Sequence, residues 1–185
     1  MATEAKLRQL ADKGCPVYYF YSSERYLVRQ AVTAITRILT ADSDEDATVL
    51  DGAAPEIEQL IMAAGTISFF GTRRVVVLPE IDPAAYSDKD LEELNRTLSS
   101  LENAVVVLGS VFELERSKLK TGKRAQKLIA QCKALGYTEE LAKPKPFELK
   151  MMMIDRAKEQ KTTLPDGAAA ALLERCGEDP FLLEN

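Results

Sequence analysis

Three stretches come nearest to phosphate and metal chemistry: Tyr21-Ser22-Ser23-Glu24-Arg25, Thr121-Gly122-Lys123-Arg124, and Val75 to Asp82. A phosphate loop between a first strand and its helix needs glycine-rich backbone whose amides cradle the phosphates, a lysine for charge, and a hydroxyl for magnesium. The Tyr21 to Arg25 connection has no glycine and no Gly-Lys-Ser/Thr, it is too short to wrap a triphosphate, and Glu24 would repel one. Thr121 to Arg124 does contain Gly-Lys. Its first glycine position is Ser117, however, and Arg124 stands where the hydroxyl belongs. Val75 to Leu78 is a hydrophobic strand followed by Glu80 and Asp82. A magnesium-handling Asp-Glu pair sits directly at such a strand end, and Pro79 fills the Asp position, leaving Glu80. The chain contains no histidine, which removes Ser-His-Asp and Cys-His catalysis and the commonest zinc sites. Cys15, Cys132 and Cys176 are odd in number and far apart, as in a cytosolic protein with reduced thiols. The expectation is no catalytic residue, no cofactor and no metal: the outline of an ATPase without its working parts.

Two other features suit binding. The stretch from Thr66 to Asp82, TISFFGTRRVVVLPEID, joins a helical pattern to an apolar strand through a loop bearing Phe69 and Phe70. Two adjacent rings at a loop tip either fold back onto the core or wait for a partner to cover them. The second feature is electrostatic. Arg116, Lys118, Lys120, Lys123, Arg124, Lys127 and Lys133 occur with no acid between Glu115 and Glu139, in a chain of formal charge −5. This run reads either as a solvated helix face or as a contact for a phosphate backbone or an acidic partner. The overall negative charge argues against general nucleic-acid binding by the whole chain.

The elements that must hold these features alternate. Strands are expected at Val17–Tyr21, Thr48–Leu50, Val75–Leu78, Ala104–Leu108 and, as a short edge, Thr138–Leu141. Helices are expected over Glu4–Lys13, from a cap at Ser22 or Ser23 through Ile38, and over Pro55–Ala64, Asp88–Leu101 and Gly122–Leu135. Uncharged β-branched runs between amphipathic helices imply a parallel sheet buried on both faces. Lys143-Pro144-Lys145-Pro146 then punctuates the chain, placing a boundary near Ala142 between a domain at 1–142 and a helical one at 143–185. In the second, Phe147–Lys161 and Asp166–Cys176 read as helices, with Met151, Met152 and Met153 beside Phe147 as core. Asp179 to Asn185 reads as a further helix that the sequence leaves incomplete. No apolar run approaches the roughly 18 residues needed to span a bilayer, and Met1 to Cys15 is too charged for a signal peptide.

Taken in order, VYYFYSSERYLVRQA, TVLDGAAPEIEQLI, TISFFGTRRVVVLPEID, ENAVVVLG, FELERSKL, KPKPFELKMMMIDRAKEQ and GEDPFLLEN resemble the delta subunit of the bacterial DNA polymerase III clamp loader over essentially the whole chain. The resemblance implies a RecA/AAA+-like α/β domain lacking a functional phosphate loop, a small all-α lid domain, here cut short, and a missing C-terminal collar. It implies a non-catalytic, cytoplasmic subunit that binds and helps open the sliding clamp (the beta subunit) in DNA replication. Other clamp-loader subunits would be partners of the full-length protein, with DNA met only in the complex. The family's clamp-inserting hydrophobic pair matches Phe69 and Phe70, with Phe69 where the family often has leucine. Rival readings are a P-loop ATPase or motor, and a nucleic-acid-binding module built on the Arg116 to Lys133 run.

Overall fold

The computed structural model describes residues 4–41, 43, 45–66, 73–143 and 145–176. The chain divides into two compact units, Met1–Ala142 and Lys143–Asn185. The first runs α1 (Glu4–Asp12), β1 (Val17–Ser22), α2 (Arg25–Leu39), β2 (Thr48–Val49), α3 (Ile57–Gly65), β3 (Arg74–Leu78), α4 (Asp88–Ser99) and β4 (Ala104–Val111). It continues through β5 (Leu114–Glu115), β6 (Lys118–Leu119), α5 (Lys123–Leu135) and β7 (Tyr137–Glu140). Five strands form one sheet in the order β2-β3-β4-β1-β7, with every pairing parallel.

The apolar runs follow from a sheet covered on both sides. Along β1, β3 and β4, alternate side chains enter opposite layers. Val17, Tyr19, Val76, Leu78, Val106 and Leu108 pack against Ile57 and Leu60 of α3, Leu91, Leu94 and Leu98 of α4, and Leu128 and Cys132 of α5. Tyr18, Phe20, Val75, Val77, Val105 and Val107 face Leu7 and Leu10 of α1 and Leu27, Val28, Ala31, Val32 and Ile35 of α2. Burying each such side chain contributes roughly 1.5–3 kcal/mol, so a charge anywhere in VYYFY or AVVVL would be expensive.

Several boundaries differ from the sequence expectation. Helix α3 begins at Ile57, after an extended Glu56, so Pro55 precedes the helix and does not sit in its first turn. Helix α2 has Glu24 as its N-cap, with no side-chain cap. The Ser22 hydroxyl accepts from the Glu24 amide at 3.1 Å instead. The fourth strand extends to Val111 and is followed by the β5–β6 hairpin, which was not expected as structure.

The second unit contains α6 (Pro146–Glu159) and α7 (Asp166–Cys176). The Lys145 amide donates to the Glu148 carboxylate at 2.7 Å, closing the first turn of α6. Lys150 pairs with Asp166 at 2.7 Å. Leu149, Met153 and Ala169 are buried, whereas Phe147 and Met151 are exposed. The expectation that Phe147 and the whole methionine run form core therefore fails. At helical spacing only positions 149 and 153 share the inward stripe.

Burial pushes the Cys132 thiol and the Tyr86 phenol each up to about 12. In the unfolded chain these groups titrate near 9 and 10, so between those values and about 12 the unfolded state releases protons that the folded state keeps. Their contribution is complete below about pH 9 and is lost as pH rises toward 12. Thermal melts followed by circular dichroism should show a level Tm to about pH 9 and a fall above it. A Tm unchanged at pH 11.5 would contradict the buried state of both groups.

Candidate functional site

In open parallel sheets, ligands bind outside the carboxyl ends of the strands, and here those ends are closed by the protein's own groups. The Ser22 hydroxyl donates to the Leu141 carbonyl at 2.6 Å. The Ser22 carbonyl accepts from the Phe112 amide at 2.8 Å, and the Tyr21 carbonyl accepts from the Leu141 amide at 2.8 Å. These bonds tie the ends of β1, β4 and β7 together. From the first residue of α2, the Arg25 guanidinium reaches Glu80 at 2.6 Å, with Arg29 at 3.9 Å from the same carboxylate. The acid left alone at the end of β3 is thus engaged by two arginines of the helix that follows β1. Among the described residues, no group of three or more His, Cys, Asp or Glu could hold a metal ion.

The turn carrying Glu80 is set by β4. The Ile81 amide donates to the Gly109 carbonyl at 2.8 Å. The Tyr19 hydroxyl donates to Ser110 Oγ at 2.9 Å, which in turn donates to the Ile81 carbonyl at 2.8 Å. Position 109 must be glycine for close approach. A methyl group there would overlap the Pro79 carbonyl oxygen and stand 2.7 Å from Val28 Cγ1.

Phe69 and Phe70 lie outside the described residues. Helix α3, which leads toward them, exposes Ile61 (44 %) and Met62 (74 %). A groove of about 510 Å³ runs beside these residues, lined among others by Ala64, Gly65, Arg96 and Leu101. The last turns of α3 therefore carry apolar surface of their own.

The basic run separates into two sets. Arg124 pairs with Asp88 of α4 at 2.7 Å and donates to the Ala84 carbonyl at 3.1 Å. The hydrogen bond from Arg124 to the Asp88 carboxylate holds that carboxyl below its usual range. Lys127 pairs with Glu92 of α4 at 3.2 Å, and Lys120 with Glu113 at 3.9 Å. Arg124 and Lys127 thus pair α5 with α4, and Lys120 pairs with the residue just ahead of the hairpin. Arg116, Lys118, Lys123 and Lys133 are exposed, and no ion pair engages them among the described residues. Arg116 and Ser117, at φ 50° and 64°, form the tip of the β5–β6 hairpin, where a two-residue loop needs left-handed backbone. The sequence reading missed this hairpin because Arg-Ser lacks the usual Asn-Gly signal.

The strand order and all-parallel pairing, with helices on both faces, define the RecA/AAA+-like α/β class. Within that class the sequence is specific: residues 18–135 match the family model of the DNA polymerase III delta subunit, and the chain belongs to that family. A DNA polymerase III subunit delta of Bacillus subtilis (strain 168) is 28 % identical in an alignment of 137 residues that covers 67 % of this chain and 39 % of that protein. The Bacillus subtilis DNA clamp loader delta protein superposes with a TM-score of 0.62 at 22 % identity, over 98 % of this chain and 56 % of its own. Domain III of the Thermotoga maritima replication initiation protein DnaA gives 0.60 at 13 % identity, over 98 % and 78 % of the two chains. Thermotoga maritima RuvB gives 0.56 at 14 %, over 97 % and 57 %. These structural likenesses carry the fold. The chain spans well under two thirds of the length of its delta-subunit relatives.

Gly109→Ala should be destabilising through overpacking, by about 1–3 kcal/mol, because the obstructing atom is backbone. Urea unfolding should show a lowered midpoint, while Gly65→Ala, which meets nothing within 4 Å, should stay within about 1 kcal/mol of the parent. Equal midpoints for the two variants would contradict the close approach of Pro79 to β4.

Proposed function

We propose that this chain acts as a non-catalytic clamp-loader subunit that docks on the sliding clamp of bacterial DNA replication and helps open it. The observation that carries this reading is family membership combined with two adjacent phenylalanines, Phe69 and Phe70, between α3 and β3. The exposed Ile61 and Met62 on α3 support it, since they extend the apolar surface a clamp would cover. Residues 143–185, which include α6 and α7, would be a lid domain, and other clamp-loader subunits would be further partners. The absence of intrinsic catalysis is part of the proposal. It is supported by the glycine-free Tyr21 to Arg25 turn and by the Arg25–Glu80 pair beside it. A P-loop motor would need an open glycine loop at that turn, with a lysine free to meet phosphates.

Two experiments test this. In the first, a fluorescent ATP analogue is titrated with magnesium and should give no saturable signal at low micromolar protein; tight saturable binding would favour the motor reading. In the second, Phe69→Ser and Phe70→Ser are combined and the host's sliding clamp is titrated in. Each ring that inserts buries roughly 1.5–3 kcal/mol of apolar surface, and truncated aromatic anchors commonly cost about 2 kcal/mol or more. The double variant should therefore bind the clamp about two to three orders of magnitude more weakly while its melt stays unchanged. Were the rings core residues, each change would cost about 3–5 kcal/mol of stability, and the melt would collapse. Retained affinity or a collapsed melt would overturn the assignment.

A further inference from the structure

Of the four cations of the basic run that have no ion pair among the described residues, two reach one groove of about 580 Å³, bounded by the β5–β6 hairpin, α5 and the ends of β1 and β7. Lys118 and Lys133 line it, Leu119, Ile129 and Tyr21 give it an apolar floor, and Glu140 closes one side. Arg116 stands at the hairpin tip beside it. On α5, Lys123, Gln126, Ala130 and Lys133 follow at spacings of three, four and three, so they share one stripe. That stripe is about 15 Å long at 1.5 Å per residue. The adjoining polar stripe of α5 carries Arg124 and Lys127, which pair with Asp88 and Glu92 of α4.

We propose that this groove binds single-stranded nucleic acid, with phosphates on Lys118 and Lys133 and bases over Leu119, Ile129 and Tyr21. Charge complementarity selects a polyanion: in a chain of net charge −5, Lys118 and Lys133 line this concavity exposed and with no ion pair among the described residues, and Arg116 and Lys123 belong to the same basic run. The size and floor select a single strand. A duplex would meet only the rims, whereas unstacked bases lie on apolar and aromatic surface. The remaining polar lining selects nucleic acid over an acidic peptide. Gln126 and Thr121 can donate to and accept from base edges, and the Glu140 carboxylate accepts from an exocyclic amino group but repels a carboxylate-rich chain.

The test is fluorescence anisotropy with a labelled mixed-sequence strand of about twelve nucleotides, within the site sizes of single-strand-binding folds. The same sequence as a duplex and polyglutamate as competitor complete the set. Engagement of the four cations predicts a log K against log salt slope of about −3. Lys118→Glu with Lys133→Glu should lower affinity at least tenfold and bring the slope to about half. Lys89→Gln, on α4 and away from the groove, should match the parent. If the double variant does not melt like the parent, Lys133→Gln alone should still give a severalfold loss. Absence of saturable binding at low salt, equal binding of the duplex, or groove variants that bind like the parent would overturn the proposal. Displacement by polyglutamate at equal charge would overturn it in favour of an acidic protein partner. No sliding clamp enters the experiment, so its outcome is independent of the clamp-docking reading.

Discussion

The burial of β1 on both faces and its bonding on both edges is the constraint on which the rest of the first unit depends. Tyr18, Tyr19 and Phe20 are fully buried, with β4 on one side and β7 on the other. A strand held this way cannot shift register without moving its rings between layers. Its end is therefore a fixed point, and Ser22 uses it: one residue supplies a carbonyl to Phe112, a hydroxyl proton to Leu141 and an acceptor to the Glu24 amide. The chain Tyr19–Ser110–Ile81 carries the same fixed geometry to the segment after β3. Buried hydroxyls this completely partnered are rigid, because breaking one bond would leave a desolvated group unpaired.

This rigidity explains what has become of the carboxyl edge of the sheet. A phosphate loop leaves backbone amides unpaired so that a ligand can satisfy them. In this chain, polar groups at the same edge are partnered internally, and charge is matched by Arg25 and Arg29 on Glu80. Arg25 and Arg29 remain well exposed, so solvent screens the pair and its contribution to stability is small. Its consequence is local: the arginines and the acid at this edge attend to each other.

Much of the fold was legible because period decides it. Runs such as VYYFY and AVVVL belong only to strands buried on both sides, and amphipathic stripes between them require crossover helices. What stayed hidden depends on contacts between elements. The β5–β6 hairpin has two-residue strands and a tip made by Arg116 and Ser117, whose backbone strain no propensity announces. Pro55 was misread because proline suits both the first turn of a helix and the residues ahead of it. Phe147 and Met151 lie on the wrong stripe of α6, which the residue types alone did not reveal.

The basic run shows the same limit at the level of the site. From sequence, Lys120, Arg124 and Lys127 look no different from Lys118, Lys123 and Lys133. Packing separates them: α4 brings Asp88 and Glu92 within reach of Arg124 and Lys127, Glu113 engages Lys120, and Lys118 and Lys133 are left facing the groove. A cation that neutralises a neighbouring helix has little field left for a ligand. One that keeps its full charge beside an apolar concavity projects that charge into a space of low polarity, where it acts more strongly than on open surface. The capacity of this region to attract an anion therefore resides in Arg116 and Lys118 of the hairpin and Lys123 and Lys133 of α5, while Lys120, Arg124 and Lys127 are engaged by Glu113, Asp88 and Glu92.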